Sequence, residues 1–203
     1  MLVFHRQKLV VLAVPRTGST SLHRALSPFA DIEFTTPPGR KHMSARGVER
    51  WAQSRPRAVE SYKRIAVVRD PLARIISWYS YRKRKQIAGQ PASTRGMSFD
   101  AFVRATLSDS PPPAAQVGNQ HRFLCDAEGA LAVDEIFCLE RTDVLVAYLR
   151  GIFGVVEFPH RNASRPQDVT IDPALEAELR AARAEEFALF EQVAQRGRLT
   201  VSR

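Results

Sequence analysis

Pro15-Arg16-Thr17-Gly18-Ser19-Thr20-Ser21 packs one guanidinium, four hydroxyls and a glycine into seven consecutive positions. That set suits a phosphate-like anion. The apolar run Leu9 to Val14 leads into it as a buried strand, and Ser19 to Leu26 leaves it as a helix with Leu22, Ala25 and Leu26 on one face. A loop between such elements turns several backbone N–H groups toward one point, and the helix dipole adds positive potential there. Gly18 has no side chain, so an anion can approach the backbone closely. Laid over GxxxxGK[ST], the ATP-binding loop pattern, the segment aligns from Ala13 to Thr20. Gly18 and Thr20 match, but Ala13 stands for the first glycine and Ser19 for the lysine that would reach the β and γ phosphates. The loop is therefore expected to hold an anion other than ATP with magnesium.

A second set lies further on. Ile65 to Val68 reads as a buried strand, followed by Arg69-Asp70-Pro71 and a helix carrying Ser77, eight positions after Arg69. Asp70 as N-cap and Pro71 at the first helical position are start signals for that helix. Taken alone, Arg-Asp-Pro after a strand is helix-capping grammar. Arg69 nevertheless offers a planar fork of donors and Ser77 one compact donor, a pair that also suits phosphate.

The two sets, in this order and on these elements, resemble the sulfotransferases that use 3′-phosphoadenosine 5′-phosphosulfate (PAPS). The closest likeness is to the carbohydrate group and its short bacterial relatives. Val14 to Leu22 is similar to that family's 5′-phosphosulfate loop, and Arg69 with Ser77 is similar to its 3′-phosphate site. The resemblance extends over residues 9 to 83. Loose likeness continues at Val133 to Leu149, including Glu140, and at Pro159 to Ser164. It implies that Arg16, Thr17, Gly18, Ser19, Thr20 and Ser21 hold the 5′-phosphate and sulfate, with Arg16 also meeting the charge of the transfer. It implies that Arg69 and Ser77 hold the 3′-phosphate, that no metal is needed, and that His42 is the general base for a hydroxyl acceptor. A histidine near its ordinary pKa of ~6.5 suits that task. Glu33 and Glu60 are carboxylate alternatives, and His121 and His160 suit surface or acceptor-site roles.

The elements that position these residues alternate as strand and helix, predicting an α/β fold of P-loop type. The expected architecture is three layers, a mostly parallel central sheet flanked by helices, in one domain over 1–203. Further strands are expected at Asp31 to Thr35 and Val133 to Leu139. Helices are expected from Ser44 to Trp51, Ser98 to Leu107, Thr142 to Arg150, and Asp172 to Gln195. The polar stretch from Arg84 to Met97 reads as a mobile surface loop. Ser108 to Ala115, with three consecutive prolines, reads as a rigid connector. Cys125 and Cys138 form no CxxC pair, and their apolar flanks predict buried thiols on core strands.

The 203 residues are 44% hydrophobic and 25% charged, enough for a substantial core, with 30 Lys and Arg against 21 Asp and Glu, net +9. A basic surface suits an anionic partner but does not choose among nucleotide, acidic glycan, membrane face and nucleic acid. Met1 to Lys8 is short and polar, and the apolar run after it feeds the loop rather than a cleavage site. A cytoplasmic location is therefore expected. Two other readings remain open. A small-molecule kinase would use ATP and magnesium, with Asp70 as a metal ligand. A non-catalytic basic module would use the interleaved aromatics and cations of Tyr79 to Lys85, although nucleic acid is not the expected partner.

Overall fold

A computed structural model describes residues 1–54, 59–154, 156 and 169–202. The elements run β1 (Leu2–Phe4), β2 (Leu9–Val11), α1 (Ser19–Leu26), β3 (Ile32–Glu33), α2 (Pro38–Lys41), α3 (Ala45–Gln53), β4 (Lys63–Val68) and α4 (Pro71–Arg82). They continue through α5 (Phe99–Leu107), α6 (Gln120–Leu124), β5 (Glu135–Cys138), α7 (Thr142–Phe153), α8 (Pro173–Ala182), α9 (Ala184–Arg196) and β6 (Arg198–Thr200). The six strands form one sheet in the order β3-β1-β2-β4-β5-β6.

The strands carry apolar residues on both faces, as a sheet covered on two sides requires. Val10, Leu12, Ala66, Val68 and Ile136 face a core closed by α3, α6 and α9. Leu9, Val11, Ile65, Val67 and Phe137 face the opposite core, closed by α1 and α7. The expected three layers are therefore present. A third cluster, built on Ile75, Tyr79, Phe102 and Leu179, joins α4, α5 and α8 beside the sheet.

The expectation of a mostly parallel sheet needs correction. Only β2–β4 and β4–β5 are parallel, while β1–β2, β1–β3 and β5–β6 are antiparallel. The cause is local at both ends. The turn His5 to Lys8 is too short for a crossover, so β1 and β2 must form a hairpin. At the other end Gly197, at φ 72°, reverses the chain directly from α9 into β6. Two further readings change. Phe123 and Leu124 lie at the end of α6 rather than on a strand, and Cys125 makes only an isolated bridge to Leu131. The C-terminal helix is two helices broken at Arg183. Both cysteines are buried and free.

The start signals are read correctly from the sequence. Asp70 accepts the amide of Ala73 at 2.7 Å, and Ser44, Ser98 and Asp172 cap their helices in the same way. The segment 84–97 carries a short turn at Lys85–Ile87 and is tied to the end of α4. Thr94, fully buried, donates its hydroxyl to the Tyr79 carbonyl at 2.9 Å, and the Tyr79 hydroxyl donates to the Met97 carbonyl at 2.7 Å.

Candidate functional site

The three parallel strands end on the same side of the sheet, and the chain leaves them through Leu12 to Gly18, Arg69 to Asp70, and Leu139 to Arg141. Ligands of open α/β sheets bind at such carboxyl ends.

The first of these loops is bent by two residues with positive φ, Arg16 at 68° and Gly18 at 74°. The Thr17 hydroxyl donates to the Val14 carbonyl at 3.0 Å, and Arg74 Nε donates to the Pro15 carbonyl at 3.2 Å. These bonds hold the loop from inside. They also spend the Thr17 hydroxyl, so an anion would meet that residue through its backbone. Gly18 is the N-cap of α1 and makes no side-chain cap, and no acidic residue lies in the first turn. The Ser21 amide donates to the Gly18 carbonyl at 3.0 Å, which leaves the amides of Ser19 and Thr20 to whatever binds there. Ser19 and Ser21 are buried at the helix start, while Thr20 is exposed.

A Cβ at Gly18 would lie 2.8 Å from Leu139 Cδ1, in a backbone conformation that L residues avoid. Gly18→Ala is expected to lower the unfolding free energy by about 1–2 kcal/mol in urea titration. An unchanged midpoint would show that the loop carries no such constraint.

Arg16 projects from this loop onto α4. Its Nε and Nη2 donate to Ser77 Oγ at 3.1 and 2.8 Å, and its guanidinium lies 4.7 Å from the centre of the Tyr81 ring. Arg84 covers the same ring at 5.0 Å. Burial first, then Arg84 and Arg69, lower the Arg16 pKa to about 10, with Tyr81 acting the other way. Arg16 is still charged at neutral pH. Its charged neighbours are cations, so the local potential is strongly positive. Ser77 is buried and uses its oxygen as acceptor, which keeps its own O–H as a donor.

Arg69 ends β4. Its backbone is held by the Gln120 side chain, and its guanidinium has no hydrogen bond or ion pair among the described residues. Burial lowers its pKa, opposed by Glu140 and Asp70. The Glu140 carboxylate is fixed below, accepting the Asp70 amide at 3.1 Å and the Cys138 thiol at 3.2 Å.

His42 follows α2, and its Nδ1 lies 2.7 Å from the Ala13 carbonyl. A carbonyl oxygen can only accept, so Nδ1 carries the proton and Nε2 keeps its lone pair. Burial lowers the His42 pKa below its ordinary 6.5, Lys41 and Arg16 add to that, and the Ala13 bond opposes it. The imidazole is neutral at pH 7. It also sits against the strand that feeds the loop, near enough to feel Arg16.

A Sulfotransferase family model matches residues 1–195. The chain belongs to the sulfotransferase family. No curated protein sequence and no solved structure gives a significant match.

Membership of a sulfotransferase family makes a transferase of this chain and gives the donor-rich loop its context. The fold brings Arg16, Ser77 and Arg69 together at one edge, and places His42 behind the loop. The other candidates lie elsewhere or are occupied. Glu33 is engaged by His23 at 3.1 Å, Glu60 is exposed in a turn, and His121 contacts Cys125 and Glu185. His160 and Pro159 to Ser164 lie outside the described residues. Gln120 is not legible as a site residue, and Tyr81 and Arg84 are legible only as part of the basic aromatic stretch Tyr79 to Lys85. Tyr81 falls one helical turn after Ser77 on α4, a signal that points to it, whereas Arg84 lies beyond the end of that helix. Gln120 has no such local signal. Among the described residues no helix is long and apolar enough to cross a membrane, and no group of three or more His, Cys, Asp or Glu is placed to hold a metal ion.

Proposed function

We propose that the protein transfers a sulfuryl group from PAPS to a hydroxyl or amine of an acceptor, carbohydrate being one candidate class. The observation that carries this reading is the pair of cationic arms on neighbouring strand ends. Arg69 adds to the lowering of the Arg16 pKa, and among the described residues no carboxylate contacts Arg16. One nucleotide with phosphate groups at both its 5′ and 3′ positions answers both arms.

In this reading the amides from Thr17 to Thr20 and the Ser19 and Thr20 hydroxyls hold the 5′-phosphosulfate. Arg69 and the Ser77 hydroxyl take the 3′-phosphate. The acceptor oxygen attacks sulfur in line, the bond from sulfur to the bridging oxygen breaks, and the nucleotide 3′,5′-bisphosphate leaves. His42 Nε2 takes the acceptor proton, and Arg16 stabilises the charge that spreads over the sulfuryl and bridging oxygens. The kinase reading gains nothing from Asp70, whose carboxylate caps α4.

Thermal unfolding with added nucleotide tests the donor. 3′-Phosphoadenosine 5′-phosphate at about 100 times its Kd should stabilise by about 2.7 kcal/mol, while AMP and ADP at the same concentration give much smaller shifts. Equal shifts would end the PAPS assignment. Stabilisation by ATP that depends on magnesium would favour a kinase.

A further inference from the structure

We infer that Gln120 is a positioning residue for the Arg69 arm, locked in place by the buried carboxylate of Glu186. The inference rests on the sulfuryl-transfer reading and assigns to it a control point far from the phosphate-binding residues in sequence. Arg69 stands between the end of β4 and the cap of α4, where its peptide groups have neither a strand nor a helix partner among the described residues. Gln120, fully buried, supplies both. Its Nε2 donates to the Arg69 carbonyl at 2.6 Å, and its Oε1 accepts the Arg69 amide at 3.1 Å. A fork on both backbone groups of one residue fixes the direction in which that residue's side chain departs.

Gln120 is itself fixed. Glu186 on α9, also fully buried, accepts the Gln120 amide at 3.0 Å and contacts Arg74 Nη1 at 3.4 Å through the same oxygen. Its other oxygen accepts from Arg183 at 3.2 Å. Arg74 holds the Pro15 carbonyl of the first loop and the Val117 carbonyl just before α6. One carboxylate on the last long helix thus ties together the phosphate loop and the Arg69 arm. A carboxylate shut away from water with two guanidiniums is costly unless its geometry is good and its remaining lone pairs are satisfied, as the Gln120 amide helps to do here. Here that geometry sets the relation between the two arms.

Gln120→Met keeps the length of the side chain and removes both bonds to Arg69. Calorimetry of wild type, Gln120→Met, Arg69→Ala and the double variant, each with 3′-phosphoadenosine 5′-phosphate and with AMP, tests the role. The expected result is a roughly tenfold loss of preference for the bisphosphate in Gln120→Met, with AMP affinity unchanged. No further loss is expected when Arg69 is already Ala. Equal weakening of both nucleotides, or a full additional loss in the double variant, would show a merely structural role and overturn the inference. Should the Met variant not fold, Gln120→Asn keeps the amide but shortens its reach by one methylene, and the same selective loss is expected. A wild-type protein without preference for the bisphosphate would remove the donor assignment itself, and the positioning role with it.

Discussion

Arg16→Ala is expected to lower kcat for sulfuryl transfer by about 10²–10³-fold, the usual consequence of removing one preorganised donor from developing charge. Arg16 is held on α4 beside the phosphate loop. Its two bonds to Ser77 and its stacking on Tyr81 fix the guanidinium before any substrate arrives. Its neighbours Arg84 and Arg69 repel it, so an anion placed there relieves an existing imbalance. Arg16→Lys keeps the charge but loses the planar fork, and should recover only part of the rate. Arg69→Ala should behave differently, raising the Kd of the bisphosphate nucleotide more than it lowers kcat. Steady-state kinetics with both variants separates the two arms. Unchanged kcat in Arg16→Ala would remove Arg16 from the chemistry.

His42→Ala should lower kcat by about 10²–10⁴-fold with a hydroxyl acceptor, and leave binding of the bisphosphate nucleotide within a few fold. The pH profile gives a sharper signature. Burial holds the His42 pKa below 6.5, so the base is free at neutral pH and is lost only as the pH falls through that depressed value. In wild type, kcat/KM should therefore be flat near pH 7 and fall with an acid limb below pH 6.5. The limb should vanish in His42→Ala. Its persistence there would assign the proton to another group.

How much of this was legible without coordinates depends on the range of the interaction concerned. Gly18 at the head of α1, Asp70-Pro71 at the head of α4 and the buried strand Ile65 to Val68 all read correctly, because caps, periodicity and turn chemistry act within a few residues. The family resemblance, carried by those same elements, agrees with the match over residues 1–195. The sheet's parallel character was over-read. Leu2–Phe4 is too short to announce a strand, and β6 follows its helix with only Gly197 between them. Both cases turn on short local reversals, the four residues His5 to Lys8 and the single Gly197, which leave strands of only three residues with too little pattern to be read. The site follows the rule of range. Arg16, Ser77 and Arg69 stood out as residues, but the contact of Arg16 with Ser77 spans 61 positions. The clamp of Gln120 on Arg69 spans 51, and the hold of Glu186 on Gln120 spans 66. Composition around Gln120 and Glu186 is ordinary; only packing gives them their partners.

The most direct test of the central proposal is a crystal structure of the protein with 3′-phosphoadenosine 5′-phosphate bound. The expected density places the 5′-phosphate against the amides of Thr17 to Thr20 and beside Arg16, and the 3′-phosphate between the Arg69 guanidinium and the Ser77 hydroxyl. A nucleotide bound with its 3′-phosphate away from Arg69 and Ser77, or no nucleotide at saturating concentration, would contradict it.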